Sequence, residues 1–296
     1  MLSPSPPKVH CRDITDADIS GVIDLFVRGY PYRPRQFWVH AFDLLARHPT
    51  PAGYPKFGYL MECGGVLAGA VLFIFTDMRT ESGSAIRCGG GGWCVEPAFR
   101  GYAQFLAYHA LRHEDVTYVT PAGPEIVRIL ERLGYTRYSN GQFVAVPAVS
   151  LMASGTHAKV VDANTKLNVH YESFERDLLL AHAQYGCISL WCVTAERAYP
   201  FVFRLRYVNG FIPCARLIYC RSIEDFVRFA WPLGWYLALR GKPVVLLDAN
   251  GPIPGLVGRY IDGSRPKYFK GPIRPRLGDL AYTQLAMFET EGPDAD

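Results

Sequence analysis

The stretch V-E-P-A-F-R-G-Y-A-Q-F-L, from Val95 to Leu106, decides how the first half of this chain folds. An apolar run ends at Val95, a turn containing Arg100 and Gly101 follows, and helical spacing then continues through Leu106. The first turn of a helix has N–H groups without intrahelical partners, and the helix dipole adds positive potential there. A strand that enters a helix through an Arg-Gly turn therefore predicts an anion site at the start of that helix.

The residues before this stretch predict one strand, two helices and a hairpin. Thr15 is a helix N-cap with Asp18 at the third position, where an acidic side chain is favourable. The pair Gly64-Gly65 joins two apolar runs and predicts a tight hairpin, because glycine tolerates the positive φ of such turns. The predicted elements are strand 9–14, a helix from residue 19, helix 37–45 and strands 57–62 and 66–75.

The residues around and after the stretch complete the first half. Four consecutive glycines, Gly89 to Gly92, lie in the strand that ends at Val95, which indicates close backbone approach or an irregular strand. Pro124 suits a first helical position, and Gly134 suits the end of the same helix. The predicted elements are strand 87–95, a helix through residues 106–111, strand 116–120, a helix through 126–130 and strand 143–146.

The form V-x-P-x-[FY]-R-G and the helix that closes with Gly134-Tyr135 resemble two motifs of the GNAT acyltransferase superfamily. The order β-α-α-β-β-β-α-β-α-β is also similar to that of the family. The resemblance implies an α+β (α/β/α) fold, in which a mixed central sheet is flanked by helices. It covers residues 1–148, which we interpret as a GNAT-like acyl-CoA-binding domain.

The second half repeats part of this pattern, which predicts an internal duplication. Residues 149–164 are small and polar and are interpreted as a linker, and residues 165–296 as a second, degenerate GNAT-like domain. In both halves a strand ends in a small-residue turn, and Gly-Pro (Gly251-Pro252 in the second) is predicted to start a short helix. Ser222 caps a helix but lacks an Arg-Gly turn, so this half is not expected to bind CoA. The alternative is an unrelated α+β partner domain. The predicted elements are helix 174–183, strands 187–193, 201–207 and 211–220, a helix after 222, and strands 243–247 and 282–288.

The GNAT resemblance also implies a donor site. Backbone amides from Arg100 to Gln104 would receive the pyrophosphate of acyl-CoA, and the amide of Val95 would polarise the thioester carbonyl. We expect the strand to separate from the next strand at Val95, which would leave a slot for the pantetheine arm. Phe105 stands where the family usually has Gly or Ala. The predicted cofactor-binding residues are Cys94, Val95, Arg100, Gly101, Tyr102, Ala103 and Gln104.

Catalysis by this route needs a base for the amine and often an acid for the leaving thiolate. The family's frequent acid is a tyrosine at the position of Leu130, so Tyr118 on the neighbouring strand is the predicted substitute, with Tyr135 as the alternative. Glu96, directly after the strand, is the predicted base, with Glu62 on the hairpin as the alternative. Cys94 is interpreted as a buried thiol rather than a nucleophile, because no His or Asp stands at a spacing that would activate it.

The predicted function is therefore transfer of an acyl group to an amine in a ternary complex. The donor would be acetyl-CoA or a longer acyl-CoA, with an acyl-carrier protein as another possible source. The acceptor would be a small-molecule or peptide-like amine. The alternative is a non-catalytic GNAT-derived binding or scaffold protein.

Composition limits the other classes of function. The formal net charge is +4 over 296 residues without a Lys/Arg block, which argues against a nucleic-acid partner. No apolar run approaches the ~18 residues that span a bilayer. The eight cysteines form no C-x-x-C pair, and no Cys/His cluster has metal-binding spacing, so no metal is expected. The N-terminal residues have no apolar signal region, and we expect a cytoplasmic protein.

Overall fold

The computed structural model describes residues 8–80, 83–123, 126–150, 158–208 and 212–288. Its internal contacts divide the chain into two compact units, Met1–Val119 and Thr120–Asp296. Each unit contains β-strands with helices packed against them, and we describe each by itself.

The first unit is built on strands β1 to β5, in that order across the sheet. The first four strands pair antiparallel, whereas β4 and β5 are parallel. The β2–β3 turn has positive φ at Gly64 (61°) and Gly65 (83°), as the hairpin prediction requires. The strands are β1 (Val9–Asp13), β2 (Gly58–Cys63), β3 (Val66–Thr80), β4 (Gly83–Val95) and β5 (Thr117–Pro121).

Three helices cover this sheet: α1 (Ile19–Gly29), α2 (Arg35–Arg47) and α3 (Ala103–Ala110). The predicted cap before α1 is present, since the N–H of Thr15 donates to the carboxylate of Asp18 at 2.9 Å. The helix α1 packs against β3 and β4, and α3 packs against β1, β2 and β3. A 3-10 helix, Pro97–Tyr102, connects β4 to α3.

The second unit has the strand order β12-β6-β11-β10-β9-β8-β7. The pair β10–β11 is parallel, and the other described pairs are antiparallel. The strands are β6 (Thr136–Ala145), β7 (Lys159–Asp162), β8 (Ile188–Val193), β9 (Ala198–Val208), β10 (Ile212–Cys220), β11 (Val244–Ala249) and β12 (Gly258–Lys270).

The described residues of this unit form the helices α4 (Val127–Arg132), α5 (Ser173–Gln184), α6 (Ile223–Arg228), α7 (Ala230–Ala238) and α8 (Gln284–Met287). The predicted cap at Ser222 is confirmed, because its side chain accepts from the N–H of Asp225 at 3.0 Å. The buried core of the unit includes Phe201, Phe226 and Phe229, which join β9 to α6 and the start of α7. Pro124, predicted to start α4, lies outside the described residues.

Two predicted elements of the second half are wrong, and the long strand β12 was not predicted. Residues 282–288, predicted as a strand, contain α8, which follows extended backbone at Thr283. The residues after Gly251-Pro252 form turns rather than a short helix. The strand β12 was missed because Gly263 and Pro266 interrupt the alternation of apolar and polar residues that identifies strands.

The mixed sheet flanked by helices confirms the predicted α+β class. The two units divide at Val119, not at the predicted domain boundary of residue 148, because β6 pairs with β11 and β12. The predicted linker, residues 149–164, contains β7 at its end, and its residues 151–157 lie outside the described part. Both units contain three successive antiparallel strands, a helical segment and then a parallel strand, so a duplication remains our interpretation.

Candidate functional site

The candidate site of the first unit lies at the end of β4, which bulges before it ends. The register with β3 shifts between the pairs Phe73–Gly90 and Leu72–Gly92, so Gly91 is the additional residue of a β-bulge. The described parallel pairing with β5 ends at Gly89, and β4 then continues for six residues to Val95. The described pairing with β5 therefore ends six residues before Val95, the point at which we predicted the separation.

The backbone N–H of Val95 points away from β3. The N–H of the next residue, Glu96, donates to the carbonyl of Ala68 at 2.9 Å, which makes these two a hydrogen-bonded pair. Because such pairs alternate with non-hydrogen-bonded pairs along an antiparallel ladder, Val95 and its partner Gly69 form a non-hydrogen-bonded pair. The N–H of Val95 is therefore directed to the edge of β4 on which β5 pairs further back, which we call the free edge.

Tyr30 covers the free edge of β4 at Trp93, two residues before Val95. Its hydroxyl donates to the backbone oxygen of Trp93 at 2.5 Å and accepts from the N–H of Trp93 at 3.1 Å. Like Val95, Trp93 belongs to a non-hydrogen-bonded pair with β3. Its N–H and its carbonyl therefore both face the free edge. No local sequence pattern indicates this role of Tyr30, because the contact joins residues 63 positions apart.

Cys94 is directed toward α1 and not toward the free edge. Its thiol lies 3.8 Å from the carbonyl oxygen of Leu25, and Gly29 is the residue that leaves room for it. Burial, and secondarily the nearby Glu96 carboxylate, raises the pKa of this thiol. The raised pKa favours the protonated form of this thiol at neutral pH, and the side chain is half-buried rather than buried as predicted.

The segment predicted to hold the pyrophosphate is wound into a 3-10 helix. The N–H of Ala103 donates to the carbonyl of Arg100, and the N–H of Phe99 donates to that of Glu96 at 2.9 Å. The side chain of Arg100 is exposed, and a Cβ at Gly101 would meet no atom within 4 Å. The i→i+3 bonds of the 3-10 helix use backbone amides of this segment, so the amides of Arg100, Gly101, Tyr102, Ala103 and Gln104 are not all available to a pyrophosphate as predicted. The segment is an accessible helix start through its exposed side chains, Arg100 and Gln104.

Phe105 is on the accessible side of this segment. Its side chain is 49% exposed, and its ring centroid lies 6.3 Å from that of Tyr102. The ring therefore packs beside the start of α3 and is not part of the core.

Glu96 forms an ion pair that the sequence did not predict. Its carboxylate accepts from Nε and Nη2 of Arg28 at 2.8 and 2.6 Å. Both hydrogen bonds reach the same carboxylate oxygen, Oε1, which is therefore committed to the guanidinium of Arg28. This geometry favours a structural role for Glu96 at the end of β4.

Tyr118 is a core residue and lies far from Val95. Its side chain is 2% exposed, and its hydroxyl donates to the carbonyl of Ala110 at 3.1 Å. Burial raises the pKa of Tyr118 well above its usual range. Its pairing partner on β4 is Cys88. Cys88 lies six residues before Cys94, the neighbour of Val95, and at ~3.3 Å per strand residue this separation is about 20 Å. The structure therefore does not bring the predicted acid and base together.

His109 of α3 and His113, three residues beyond the end of α3, are occupied by other contacts. Nε2 of His113 lies 2.9 Å from the hydroxyl of Tyr59, and Nε2 of His109 lies 2.6 Å from Nη1 of Arg112. Within the described residues no group of three His, Cys, Asp or Glu side chains could hold a metal ion. No helix in the same residues is long and apolar enough to cross a membrane.

The second unit has a counterpart of this site, which its own chain fills. The strand β10 pairs in parallel with β11 as far as Arg216 and then continues to Cys220. There the N–H of Cys220 donates to the carbonyl of Gly278 at 2.9 Å, and the N–H of Leu280 donates to that of Ile218 at 2.7 Å. Since β9 occupies the other edge of β10, the segment 278–280 lies on the edge that β11 leaves.

Comparisons with solved structures identify the fold. A protein of Pyrococcus horikoshii provisionally described as an acetyltransferase aligns with 95% of this chain and 96% of its own, at 15% identity and a TM-score of 0.54. A GCN5-related N-acetyltransferase from Anabaena variabilis aligns with 88% of this chain and 72% of its own, at 10% identity and a TM-score of 0.58. Eis1 from Mycobacterium abscessus aligns with 92% and 74%, at 13% identity and a TM-score of 0.50. No family model and no curated protein matches the sequence. The chain has the fold of the GNAT superfamily.

Proposed function

We propose that this chain transfers an acyl group from a CoA thioester to an amine. The observation that carries the proposal is the N–H of Val95, which is directed to the free edge of β4. The accessible helix start at Arg100–Gln104 follows five residues later in the chain. A donor that spans these two features would have its phosphates beside the Arg100 side chain and its thioester carbonyl at Val95.

Val95 would act on the oxygen of the thioester carbonyl. As the amine nitrogen attacks the carbonyl carbon, a C–N bond forms and negative charge develops on that oxygen. A positioned N–H stabilises this charge, and loss of one such donor typically costs about 10²–10³ in kcat. The C–S bond then breaks, the product is an amide, and the amine proton passes to solvent.

A thioester donor does not require strong acid catalysis at this site. A thiol has a pKa of about 8.5, so a thiolate can leave near neutral pH without a strong acid beside it. The missing tyrosine at Leu130 and the remote position of Tyr118 therefore do not prevent the reaction. The ion pair of Glu96 with Arg28 would hold the end of β4, and with it the N–H of Val95, in place.

The second unit supports the assignment of the donor site to the first. The backbone of Gly278–Leu280 occupies the end of β10 through two hydrogen bonds. In one, the carbonyl of Gly278 accepts from an N–H of β10, and in the other, the N–H of Leu280 donates to a carbonyl of β10. A pantetheine arm offers similar amide and carbonyl groups to the end of β4. We propose a small-molecule or peptide-like amine as the acceptor, either CoA or acyl-carrier protein as the thioester source, and the cytoplasm as the location.

Calorimetric titration of CoA into the full chain tests the donor site. We expect saturable binding that weakens at least about tenfold in Arg100→Ala, since a guanidinium is a strong partner for phosphate. Arg47→Ala is the matched control, because Arg47 is also exposed but lies in the last turn of α2. If the wild type releases no binding heat with CoA or acetyl-CoA, the donor assignment is wrong and the non-catalytic alternative stands.

A further inference from the structure

Resting on the proposed function, we propose that Tyr30 limits the acyl group of the donor to a short chain. Its hydroxyl closes the free edge of β4 at Trp93, two residues before the N–H that would polarise the thioester. Tyr30 is then a specificity-determining residue, and the preferred donor is a CoA thioester with an acyl group of a few carbons.

The direction of the donor along β4 places the acyl group toward Tyr30. The phosphates would lie near Arg100, which follows Val95 in the chain, so the pantetheine arm runs past the C-terminal end of β4. With the carbonyl at Val95, the acyl carbons continue in the opposite direction, toward Trp93. Two residues of a strand span about 6.6 Å. With C–C bonds of ~1.5 Å, this length accommodates about two to four carbons before the Tyr30 hydroxyl.

The ring of Tyr30 is held in this position by its neighbours. Its centroid lies 5.3 Å from that of Trp38 and 6.1 Å from that of Phe26. Trp38 in turn stacks on Phe26 at 4.6 Å, and both lie beside Gly92 of β4. Tyr30 follows directly after α1, so its backbone is also fixed by the end of that helix.

A long acyl chain would have to displace Tyr30 from the strand edge. The displacement would break both hydrogen bonds of the hydroxyl and leave the N–H and carbonyl of Trp93 facing an apolar chain. Unpaired backbone groups are unfavourable in such surroundings. A short acyl group leaves these bonds intact, and the difference favours short donors.

Calorimetric titrations with CoA, acetyl-CoA and octanoyl-CoA test this inference. In the wild type we expect acetyl-CoA to bind at least about tenfold more tightly than octanoyl-CoA, in the range of discrimination by pocket size. In Tyr30→Ala this ratio should fall close to one. Tyr108→Ala should keep the wild-type ratio, because the side chain of Tyr108 on α3 is 71% exposed. Tyr30→Phe, which loses only the hydroxyl, serves if Tyr30→Ala does not fold, and should also reduce the ratio.

The outcomes separate this inference from the proposed function. Equal binding of acetyl-CoA and octanoyl-CoA by the wild type, or an unchanged ratio in the Tyr30 variants, would overturn the role of Tyr30 while leaving CoA binding intact. Failure of CoA itself to bind would overturn the proposed function.

Discussion

The N–H of Cys220 donates to the carbonyl of Gly278 at 2.9 Å, so the end of β10 already has a backbone partner. Among the described residues no strand pairs with the corresponding edge of β4 at Val95. We therefore predict one CoA site per chain. Calorimetry should give a stoichiometry close to one, and a value close to two would show that the second unit also binds the donor.

Gly29 and Cys94 form a close contact between α1 and β4. A Cβ at Gly29 would overlap the Cys94 side chain, so we predict that Gly29→Ala lowers the free energy of unfolding by roughly 1–3 kcal/mol. The double variant Gly29→Ala/Cys94→Ala should recover part of this loss, because it removes the sulfur. Urea denaturation measures both. A Gly29→Ala variant as stable as the wild type would disprove the contact.

Cys94→Ala alone should retain the donor affinity. The thiol faces Leu25 rather than the free edge, and its raised pKa keeps it protonated. We expect the dissociation constant for acetyl-CoA to change less than about threefold, which is under 1 kcal/mol. Trapping of an acyl group on Cys94, detected by mass spectrometry of the intact wild type, would instead show a covalent mechanism.

Tyr118→Phe should affect stability and not donor binding. The substitution leaves the buried carbonyl of Ala110 without its donor, which costs about 1–3 kcal/mol. Because Tyr118 pairs with Cys88, far along β4 from Val95, the affinity for acetyl-CoA should stay the same. Loss of affinity or turnover in a variant that remains folded would restore Tyr118 as a catalytic candidate.

His48 should make the protein less stable in mild acid. It is 1% exposed, with Nε2 3.0 Å from the carbonyl of Phe75 and 3.0 Å from the hydroxyl of Thr76. Burial lowers the pKa of His48 to about 4, against ~6.5 in an unfolded chain. Between these values the unfolded chain binds a proton that the folded chain does not, so stability falls as pH decreases from 6.5 to 4.

The expected loss from His48 is about 3 kcal/mol over that range. Urea denaturation at pH 7, 5.5 and 4.5 measures it, with His48→Gln as the comparison. His48→Gln is expected to be less stable at pH 7 but to depend less on pH. Identical pH dependence in both proteins would exclude His48 as the responsible group.

The features that the sequence predicted correctly depend on local rules. The turn at Gly64-Gly65 needs positive φ at two successive residues, and the cap at Ser222 needs only the N–H of Asp225. The strand–turn–helix at Val95 likewise has its signal within a dozen residues. For these elements the sequence alone was enough.

The features that the sequence missed depend on distant contacts or irregular strands. Tyr30 meets Trp93 across 63 positions, and Arg28 meets Glu96 across 68. The strand β12 contains Gly263 with φ 69° and Arg265 with φ 48°, so its residues do not alternate regularly. No local sequence pattern indicates these two contacts or the irregular path of β12.

A crystal structure of the full chain with acetyl-CoA tests the central claim most directly. We predict that the thioester oxygen accepts a hydrogen bond from the N–H of Val95, at about 2.7–3.2 Å, with the phosphates beside Arg100. Acetyl-CoA bound elsewhere, or a carbonyl that does not face Val95, would contradict the proposed site.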